Sequence, residues 1–447
     1  MKGLTVLFIA LTLILTACGG GSSKSAPSDS PSATVAPTAT PSPSASAEPE
    51  TVDLDGRTIK IAMWWDGLPK GETAGEKALL AKIDELQQKY NCKIEFVNIP
   101  FEQNMDNLTT SILAGEPMAD IAILEFKRAI APIKQGLLLP MSEFTKATSD
   151  VNNEQKHMVK LPQIAGQDYS FTTPYVSVVG MYYNRDLFKK LSLPDPQDLY
   201  NQGQWNWDKF LEVAKQATRD TNNDGKIDTW GFAGWPDDAA RHFGVTNGAL
   251  FVNENDLTSG LADPNLAEAL EFVKRIWNVE NIVKVKTGNK MDWNETNTFK
   301  DGDVAMSINY DWNVGDLTFE VGVVPNPAGP HSDGKHTYAN TAQNGYFIPK
   351  GVKDPQIVYQ IFEEMYDLPP TEEYLGQDWL EARFKNEADI RMSLDHINGT
   401  GRLSLEEGIP DFPFYAIMDD IIKNNQSVSA TLDKYKQAAD SSLAKLK

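Results

Sequence analysis

Apolar and polar residues follow two rhythms in the first third of the chain, one typical of strands and the other typical of helices. Residues 58–65, 93–99 and 119–124 are short, largely apolar runs of strand length. Between them, residues 73–90 and 103–113 repeat apolar side chains every three or four positions, which places them on one face of a helix. This alternation predicts a parallel sheet covered by helices on both faces.

The alternation resumes in the second half of the chain, after an extended segment at 175–184. Helical spacing recurs at 207–219 and 266–277, and strand-like runs recur at 304–308 and 320–324. Because roughly 395 residues follow the N-terminal region, the chain is long enough to build two cores. The pattern therefore predicts two lobes, both of α/β type.

The N-terminus combines a basic start with a short apolar run. Lys2 precedes an apolar stretch at 4–15, and the motif LTAC follows at 15–18. This motif resembles the bacterial lipobox, which implies that residues 1–17 are a lipoprotein signal peptide and that the sulfur of Cys18 receives a diacylglyceryl group. An ordinary secretory signal with an incidental cysteine is the alternative.

Composition indicates how the globular part is presented. Residues 18–52 are mostly Ser, Pro, Ala and Thr, which cannot bury enough apolar surface to form a core, so we expect a disordered tether behind the lipidated Cys18. No later segment has membrane-spanning length, so the lipid is the only membrane anchor we expect. The net charge of −21 repels phosphate backbones and argues against nucleic acid as a partner.

Five short motifs stand in a fixed order along the chain. They are YYNRDLF at 182–188, WNWDKF at 205–210, FKDGDVAM at 299–306, VGVVP at 321–325 and GYFIPK at 345–350. Together they resemble the extracellular solute-binding proteins that feed ABC importers, and most closely the carbohydrate-binding group that includes maltodextrin-binding proteins.

The resemblance implies a periplasmic-binding-protein-like α/β fold with two discontinuous lobes, a hinge and an interlobe cleft. Lobe 1 would comprise 53–174 and about 345–375, and lobe 2 would comprise 175–344 and about 376–447, with the first crossing near Tyr175. It further implies a monomer, not an enzyme, that binds sugar by hinge closure and delivers it to ABC permease subunits. The protein would work at the extracellular face of the bacterial cytoplasmic membrane.

Aromatic and carboxylate side chains near predicted strand ends are the candidate sugar contacts. Aromatic rings stack on the apolar faces of a sugar, while polar side chains bond its hydroxyls. Two departures from the maltodextrin pattern, Leu124 and Ser177, put maltodextrin itself in doubt and leave another oligosaccharide open. The predicted ligand-binding residues are Trp64, Trp65, Asp66, Glu125, Trp235, Tyr310, Asp311, Trp312 and Asn344.

The segment DTNNDGKID at 220–228 matches the first nine positions of an EF-hand calcium loop. Oxygen atoms at this spacing can converge on one Ca²⁺, and the glycine permits the sharp turn. The twelfth position is Gly231 in place of a bidentate glutamate, so another group would complete the shell; a metal-free turn is the alternative. The predicted ligands are Asp220, Asn222, Asp224, Lys226 through its carbonyl, and Asp228.

Two other classes of function remain open from the sequence. A secreted carbohydrate-active hydrolase needs two carboxylates roughly 5–9.5 Å apart across the sugar, for which Asp66, Glu125 and Asp311 are candidates. A sugar-sensing subunit for a membrane receptor kinase would bind sugar in the same way and act only through its partner. The adjacent pair Glu406 and Glu407 is expected to point apart and so to be a poor acid/base pair.

Overall fold

Two sheets organise the chain in the computed structural model. The model describes residues 52–144, 159–160, 164, 166–173, 177–334, 337–369, 376–397 and 400–446. The signal peptide and Cys18, nearly all of the tether, and Tyr175 at the predicted first crossing lie outside the described residues. The predicted lobe boundaries stay predictions.

The first sheet has six strands in the order β2–β1–β3–β11–β5–β4, numbered along the chain. Strand β1 pairs in parallel with β2 and β3, which confirms the parallel arrangement predicted for this region. Strand β11 is antiparallel to β3 and β5, so the whole sheet is mixed. Its strands are β1 (Arg57–Met63), β2 (Cys92–Asn98), β3 (Ile121–Glu125), β4 (Val159–Lys160), β5 (Ser170–Thr172) and β11 (Asn344–Phe347).

The second sheet has four strands in the order β7–β8–β6–β9, all from the middle of the chain. Strand β7 is parallel to β8, and β6 is antiparallel to β8 and β9. A separate parallel pair joins β10 to β12. These strands are β6 (Val179–Asn184), β7 (Trp230–Ala233), β8 (Val304–Tyr310), β9 (Val321–Val324), β10 (Thr337–Asn340) and β12 (Thr400–Leu403).

Local signals in the sequence fix several helix starts. Thr73 and Glu76 form a capping box at the start of the first helix, and Asn206 caps the helix that begins at Trp207. The helices are α1 (Ala74–Lys89), α2 (Phe101–Leu113), α3 (Phe126–Lys134), α4 (Arg185–Leu191), α5 (Pro196–Asn201), α6 (Trp207–Ala217), α7 (Pro236–Thr246), α8 (Pro264–Asn278), α9 (Trp293–Thr296), α10 (Pro355–Tyr366), α11 (Gln377–Glu381), α12 (Glu387–Ile397), α13 (Phe414–Met418) and α14 (Val428–Ala444).

Aromatic side chains fill the space between each sheet and its helices. At the first sheet, Phe171 of β5 packs on Tyr346 of β11 and on Phe362 of α10, with ring centroids 5.8 and 5.1 Å apart. At the second sheet, Trp207 of α6 stacks on Phe272 of α8 at 4.4 Å. Burial of such rings stabilises each sheet with its helices.

The chain connects the two sheets through β11. This strand follows β9 and β10 of the second half, yet it inserts between β3 and β5 of the first sheet. The first sheet is therefore built from two separate stretches of sequence. Among the described residues, no helix is both long enough and apolar enough to cross a membrane.

Candidate functional site

Three parallel strands of the first sheet place their carboxyl ends at one edge. The loop after β1 carries Trp64 and Trp65, and α2 begins with Phe101 soon after β2. Trp64 is half-buried and packs edge-on against Trp65 at 5.1 Å and Phe101 at 5.3 Å. Trp65 is 40% exposed, so it is the member of the pair available to a ligand. Asp66 is also exposed, and its Oδ1 accepts a hydrogen bond from the Leu68 amide at 3.3 Å.

The end of β3 brings two predicted site residues together. Glu125 is the last residue of β3, and it pairs in the sheet register with Asn344, the first residue of β11. Burial raises the pKa of the Glu125 carboxyl, while the Lys127 ammonium, 3.7 Å from Glu125 Oε2, acts in the opposite direction. The guanidinium of Arg128 lies over the ring of Phe101 at 4.4 Å and completes this side of the site.

A charge network, comprising Lys127, Glu407, Arg241, Glu406 and Asp238, joins α3 to α7; all of its members except Glu407 are buried. Lys127 Nζ donates to Glu407 Oε2 at 2.8 Å, and Arg241 Nη2 donates to the same carboxylate oxygen at 3.3 Å. Arg241 Nε donates to Glu406 Oε1 at 2.6 Å, and Nη1 donates to Asp238 Oδ1 at 2.9 Å. A buried charge is costly unless it is paired, and both cations here are paired with carboxylates, one of which they share.

The network tunes one of its acids in a defined direction. Burial alone would raise the pKa of Glu407, but Lys127 and Arg241 hold that pKa below its ordinary value. Tyr415 of α13 also hydrogen-bonds to Glu407. Glu407 is therefore ionised. It accepts hydrogen bonds from Lys127, which follows β3 of the first sheet, and from Arg241, which follows β7 of the second sheet.

The end of β8 supplies a stacked aromatic pair. Tyr310 and Trp312 stack with ring centroids 5.2 Å apart and an interplanar angle of 20°. Tyr310 Oη donates to Asp238 Oδ2 at 3.0 Å, so the pair is attached to the charge network, and it hydrogen-bonds to Thr341 Oγ1 at 2.8 Å. Trp312 is 54% exposed, and Tyr310 covers one of its faces.

Asp311 has partners within the protein. It is buried, and its Oδ2 accepts the indole N–H of Trp379 at 2.8 Å, while its Oδ1 accepts the backbone N–H of Trp312 at 3.0 Å. The Nε of Arg383 donates to the Asp311 carbonyl at 2.7 Å. This carboxylate therefore holds the loop after β8 against helix α11.

Trp235 lies at the start of α7, directly after β7. Its indole N–H donates to the Met291 carbonyl at 2.9 Å, which fixes the ring orientation. The ring packs edge-on against Trp293 at 6.1 Å and is tilted against Tyr415 at 6.2 Å. The Arg241 guanidinium lies 5.9 Å from the Trp235 ring, so this aromatic group borders the charge network.

Several site residues were missed by the sequence interpretation. Arg241 lies three residues after Asp238 on α7, a spacing that favours an ion pair, but nothing local points to its partners in the C-terminal part of the chain. The expectation that Glu406 and Glu407 point apart is wrong, because they lie in a 3₁₀ turn and both reach Arg241. The other residues missed are Lys127, Arg128, Trp379 and Tyr415.

The predicted calcium loop lies between α6 and β7 and is exposed. The Asp220 carboxylate accepts backbone N–H groups of Asn223 at 2.7 Å and Gly225 at 2.8 Å, and Asp228 accepts the backbone N–H of Thr221 at 2.7 Å. Hydrogen bonding from the Thr221 hydroxyl and amide lowers the pKa of Asp228. These bonds curl the loop, and Gly225 has a positive φ of 88°.

The missing twelfth-position glutamate has a steric reason. Gly231 lies on β7 against α6, where an added Cβ would come within 2.1 Å of the Ala214 carbonyl oxygen. No side chain fits there. In the described part of the chain, no group of three or more His, Cys, Asp or Glu side chains is arranged to hold a metal ion, so calcium binding stays a prediction.

Comparison with known proteins places these features in context. Residues 70–367 match the family described as bacterial extracellular solute-binding protein. A putative binding protein of Brucella abortus is 23% identical over 349 residues, which cover 73% of this chain and 76% of that protein. The arabinooligosaccharide-binding protein of Bacillus subtilis is 25% identical over 235 residues, which cover 51% of this chain and 45% of that protein.

Two solved structures share the fold. An ABC substrate-binding protein from Listeria monocytogenes, in complex with cycloalternan, is 18% identical with a TM-score of 0.61, covering 87% of this chain and 100% of its own. The maltose/maltodextrin-binding domain from Bdellovibrio bacteriovorus, bound to maltotriose, is 18% identical with a TM-score of 0.56 at the same coverage. These similarities confirm the periplasmic-binding-protein-like α/β fold predicted from the sequence.

Proposed function

Because the chain belongs to the bacterial extracellular solute-binding protein family, we propose that it binds an extracellular oligosaccharide and delivers it to an ABC importer. The arabinooligosaccharide-binding relative and the sugar complexes of the structural neighbours support this choice of ligand class. The ligand would lie in a cleft between the parts of the protein built on the two sheets.

The distribution of exposed aromatic rings carries the proposal. Four aromatic side chains are strongly exposed among the described residues: Trp65, Trp312, Trp379 and Tyr415. Tyr415 hydrogen-bonds to Glu407 of the charge network, and Trp312 is joined to the network through Tyr310, which bonds Asp238. Sugars present apolar faces to such rings and hydroxyls to the polar groups between them. A site for a small apolar molecule would need neither Glu407 nor Lys127.

Contacts across the network support a mechanism of hinge closure. Lys127 of α3 and Arg241 of α7 share Glu407, so residues associated with the two sheets already meet at this point. A ligand that contacts both sides would favour the closed arrangement by its differential affinity for that state. The closed monomer would then be recognised by the permease subunits.

The acids of the site support a binding role over a hydrolytic one. Asp311, one of the three candidate acids, is occupied by the Trp379 indole and the Trp312 amide, and the family and the structural neighbours are binding proteins. A hydrolase needs one carboxyl free to protonate the glycosidic oxygen and a second free to attack or to activate water. We therefore propose that the protein is not an enzyme.

Lipid on Cys18 would hold the protein at the extracellular face of the cytoplasmic membrane. The tether at 18–52 would then give the globular part freedom to reach the importer. This arrangement suits a receptor that captures sugar outside the cell and passes it to permease subunits in the same membrane.

A thermal-shift screen of the mature chain with Cys18→Ser tests the proposed ligand class. A sugar at a hundred times its dissociation constant should stabilise the fold by about 2.7 kcal/mol. We expect one sugar series to raise the melting temperature without forming a product detectable by chromatography. Release of shorter sugars would select the hydrolase, and no shift with any sugar would contradict carbohydrate binding.

We also propose that the loop at 220–228 binds Ca²⁺ as a structural ion. Its donors are oxygen atoms of the kind this ion prefers, provided by Asp220, Asn222, Asp224, Asp228 and the Lys226 carbonyl. The backbone bonds that curl the loop keep its carboxylates on a tight turn, and Asp220 Oδ2 and Asp224 Oδ1 each accept one N–H bond, which leaves a lone pair for a cation. Water or another oxygen donor would complete the shell in place of position twelve.

A further inference from the structure

Trp379 lies in helix α11, outside every motif that points to sugar binding, yet it borders the loop that carries Trp312. We propose that Trp312 and Trp379 form two adjoining stacking platforms, so that the ligand is an oligosaccharide occupying at least two subsites. This inference rests on the proposed carbohydrate-binding function and specifies the length of sugar that the site selects.

One residue, Asp311, bonds the indole ring of Trp379 and the backbone of Trp312. Asp311 Oδ2 accepts the Trp379 indole N–H at 2.8 Å, and Asp311 Oδ1 accepts the Trp312 backbone N–H at 3.0 Å. Because Asp311 and Trp312 are adjacent in sequence, one carboxylate fixes both the Trp379 ring and the loop that carries Trp312.

Each ring is supported on one face by another side chain. Tyr310 stacks on Trp312 at 5.2 Å, and the Arg383 guanidinium lies over the Trp379 ring, 3.2 Å from its centroid. Arg383 is itself fixed, since its Nε donates to the Asp311 carbonyl at 2.7 Å and its Nη1 donates to the Trp379 carbonyl at 2.8 Å. The supported face of each indole is therefore already covered.

Both indoles remain exposed despite these supports. Trp312 is 54% exposed and Trp379 is 40% exposed, whereas most large aromatic side chains in the described part of the chain are buried in the cores. Leaving an indole in water is unfavourable, and holding it rigid there costs side-chain entropy as well. A ring that is both exposed and fixed is preorganised to stack on a ligand with little further ordering.

The alternative role for Trp379 is purely structural: it would anchor the short helix α11 to the turn after β8. The two roles differ in what the aromatic ring does. An anchor needs the N–H bond to Asp311, whereas a stacking platform needs the aromatic face. Substitutions by Phe and Leu separate these needs, because both remove the N–H bond and only Phe keeps an aromatic face.

The experiment measures dissociation constants by calorimetry for the mature chain with Cys18→Ser and for its Trp379→Phe and Trp379→Leu variants. The probes are two series of increasing length: glucose, maltose and maltotriose, and arabinose, arabinobiose and arabinotriose. In the series that binds, we expect Trp379→Leu to weaken trisaccharide binding about tenfold and monosaccharide binding less than about twofold. Trp379→Phe should retain most of the trisaccharide affinity.

Trp230→Ala is the matched control for loss of a large indole. Trp230 is a partly buried tryptophan at the start of β7, the end of the strand opposite Trp235, and its loss should lower the melting temperature and leave the length dependence unchanged. Equal trisaccharide affinities in the Phe and Leu variants, or an equal loss for all sugar lengths, would overturn the second platform and leave sugar binding intact. If no sugar in either series binds the unsubstituted chain, the proposed function fails and the inference fails with it.

Discussion

Strand β7 has an acidic group at each of its ends, and the two groups are neutralised in different ways. At its carboxyl end, Asp238 belongs to the buried network, where Arg241 also binds Glu406 and Glu407. At its amino end, Asp220 and Asp228 lie in an exposed loop and accept hydrogen bonds from backbone N–H groups. The chain thus provides its own cation at one end of β7 and only dipoles at the other.

The acidic groups at the two ends of β7 can therefore have different roles. The buried acids can orient polar groups for a ligand only if a fixed cation offsets their desolvation, and Arg241 fills that role. The exposed acids are solvated and need no protein cation, so they remain available to an ion from the medium. Removing the cation from the first group should therefore be far more damaging than removing one from the protein surface.

Arg241→Ala should have the largest effect, because it leaves Asp238 and Glu406 buried without their cation. We expect the free energy of unfolding to fall by about 3–5 kcal/mol. Arg275, whose guanidinium is half-exposed and bonds Glu280, gives the matched control, since loss of a surface ion pair should cost only about 0–1 kcal/mol. Urea titration of both variants measures the difference, and equal losses would show that the buried network is not the greater contributor.

Calcium should have the next largest effect. At a hundredfold excess over its dissociation constant, Ca²⁺ should stabilise the protein by about 2.7 kcal/mol, and a chelator should reverse the gain in melting temperature. Asp220→Asn should abolish this response. Asn223→Gly is the control, since it preserves the predicted ligands at a position with a positive φ of 61°. An identical melting transition with calcium and with excess chelator would favour the metal-free turn.

Local features were predictable from the sequence, and contacts between distant residues were not. The apolar runs and helical spacings of the first third predict β1 to β3, α1 and α2 correctly, because each pattern lies within a few consecutive residues. The Tyr310 and Trp312 pair was found because both residues follow one family motif. Arg241 and Glu406 are 165 residues apart, and only the folded chain brings them together.

Functional residues in short helices and turns are difficult to predict from the sequence for a related reason. Helix α11 is five residues long, too short for its apolar spacing to predict a helix, so nothing in the sequence places Trp379 beside Asp311. Glu406 and Glu407 lie in a three-residue turn, for which neither the helical nor the strand rule for side-chain direction holds. Regular periodicity is informative only where an element is long enough to repeat it.

Trp312→Ala tests the aromatic side of the same site and should affect affinity more than stability. Since the ring is 54% exposed, we expect sugar binding to weaken by about 1–3 kcal/mol with little change in the melting temperature. Leu113→Ala removes an exposed side chain at the C-terminal end of α2, the end opposite Phe101, and should leave the affinity unchanged. Calorimetry with the sugar found in the screen gives both values, and an unchanged affinity for Trp312→Ala would remove this residue from the site.

Asp237 allows the finest test, because it is buried beside the network without an ion pair of its own among the described residues. Burial raises the pKa of its carboxyl to about 8; Arg241 opposes this shift, while Asp238, Asp419 and Glu407 reinforce it. The folded protein therefore retains a proton that the unfolded chain releases near pH 4, so stability should fall as pH rises from about 4 to about 8. The contribution of this one group is at most about 1.4 kcal/mol per pH unit.

Asp237→Asn should remove that part of the slope, whereas Asp433→Asn on the exposed face of α14 should not. Equal slopes for the unsubstituted chain and Asp237→Asn would mean that burial does not raise the pKa of Asp237.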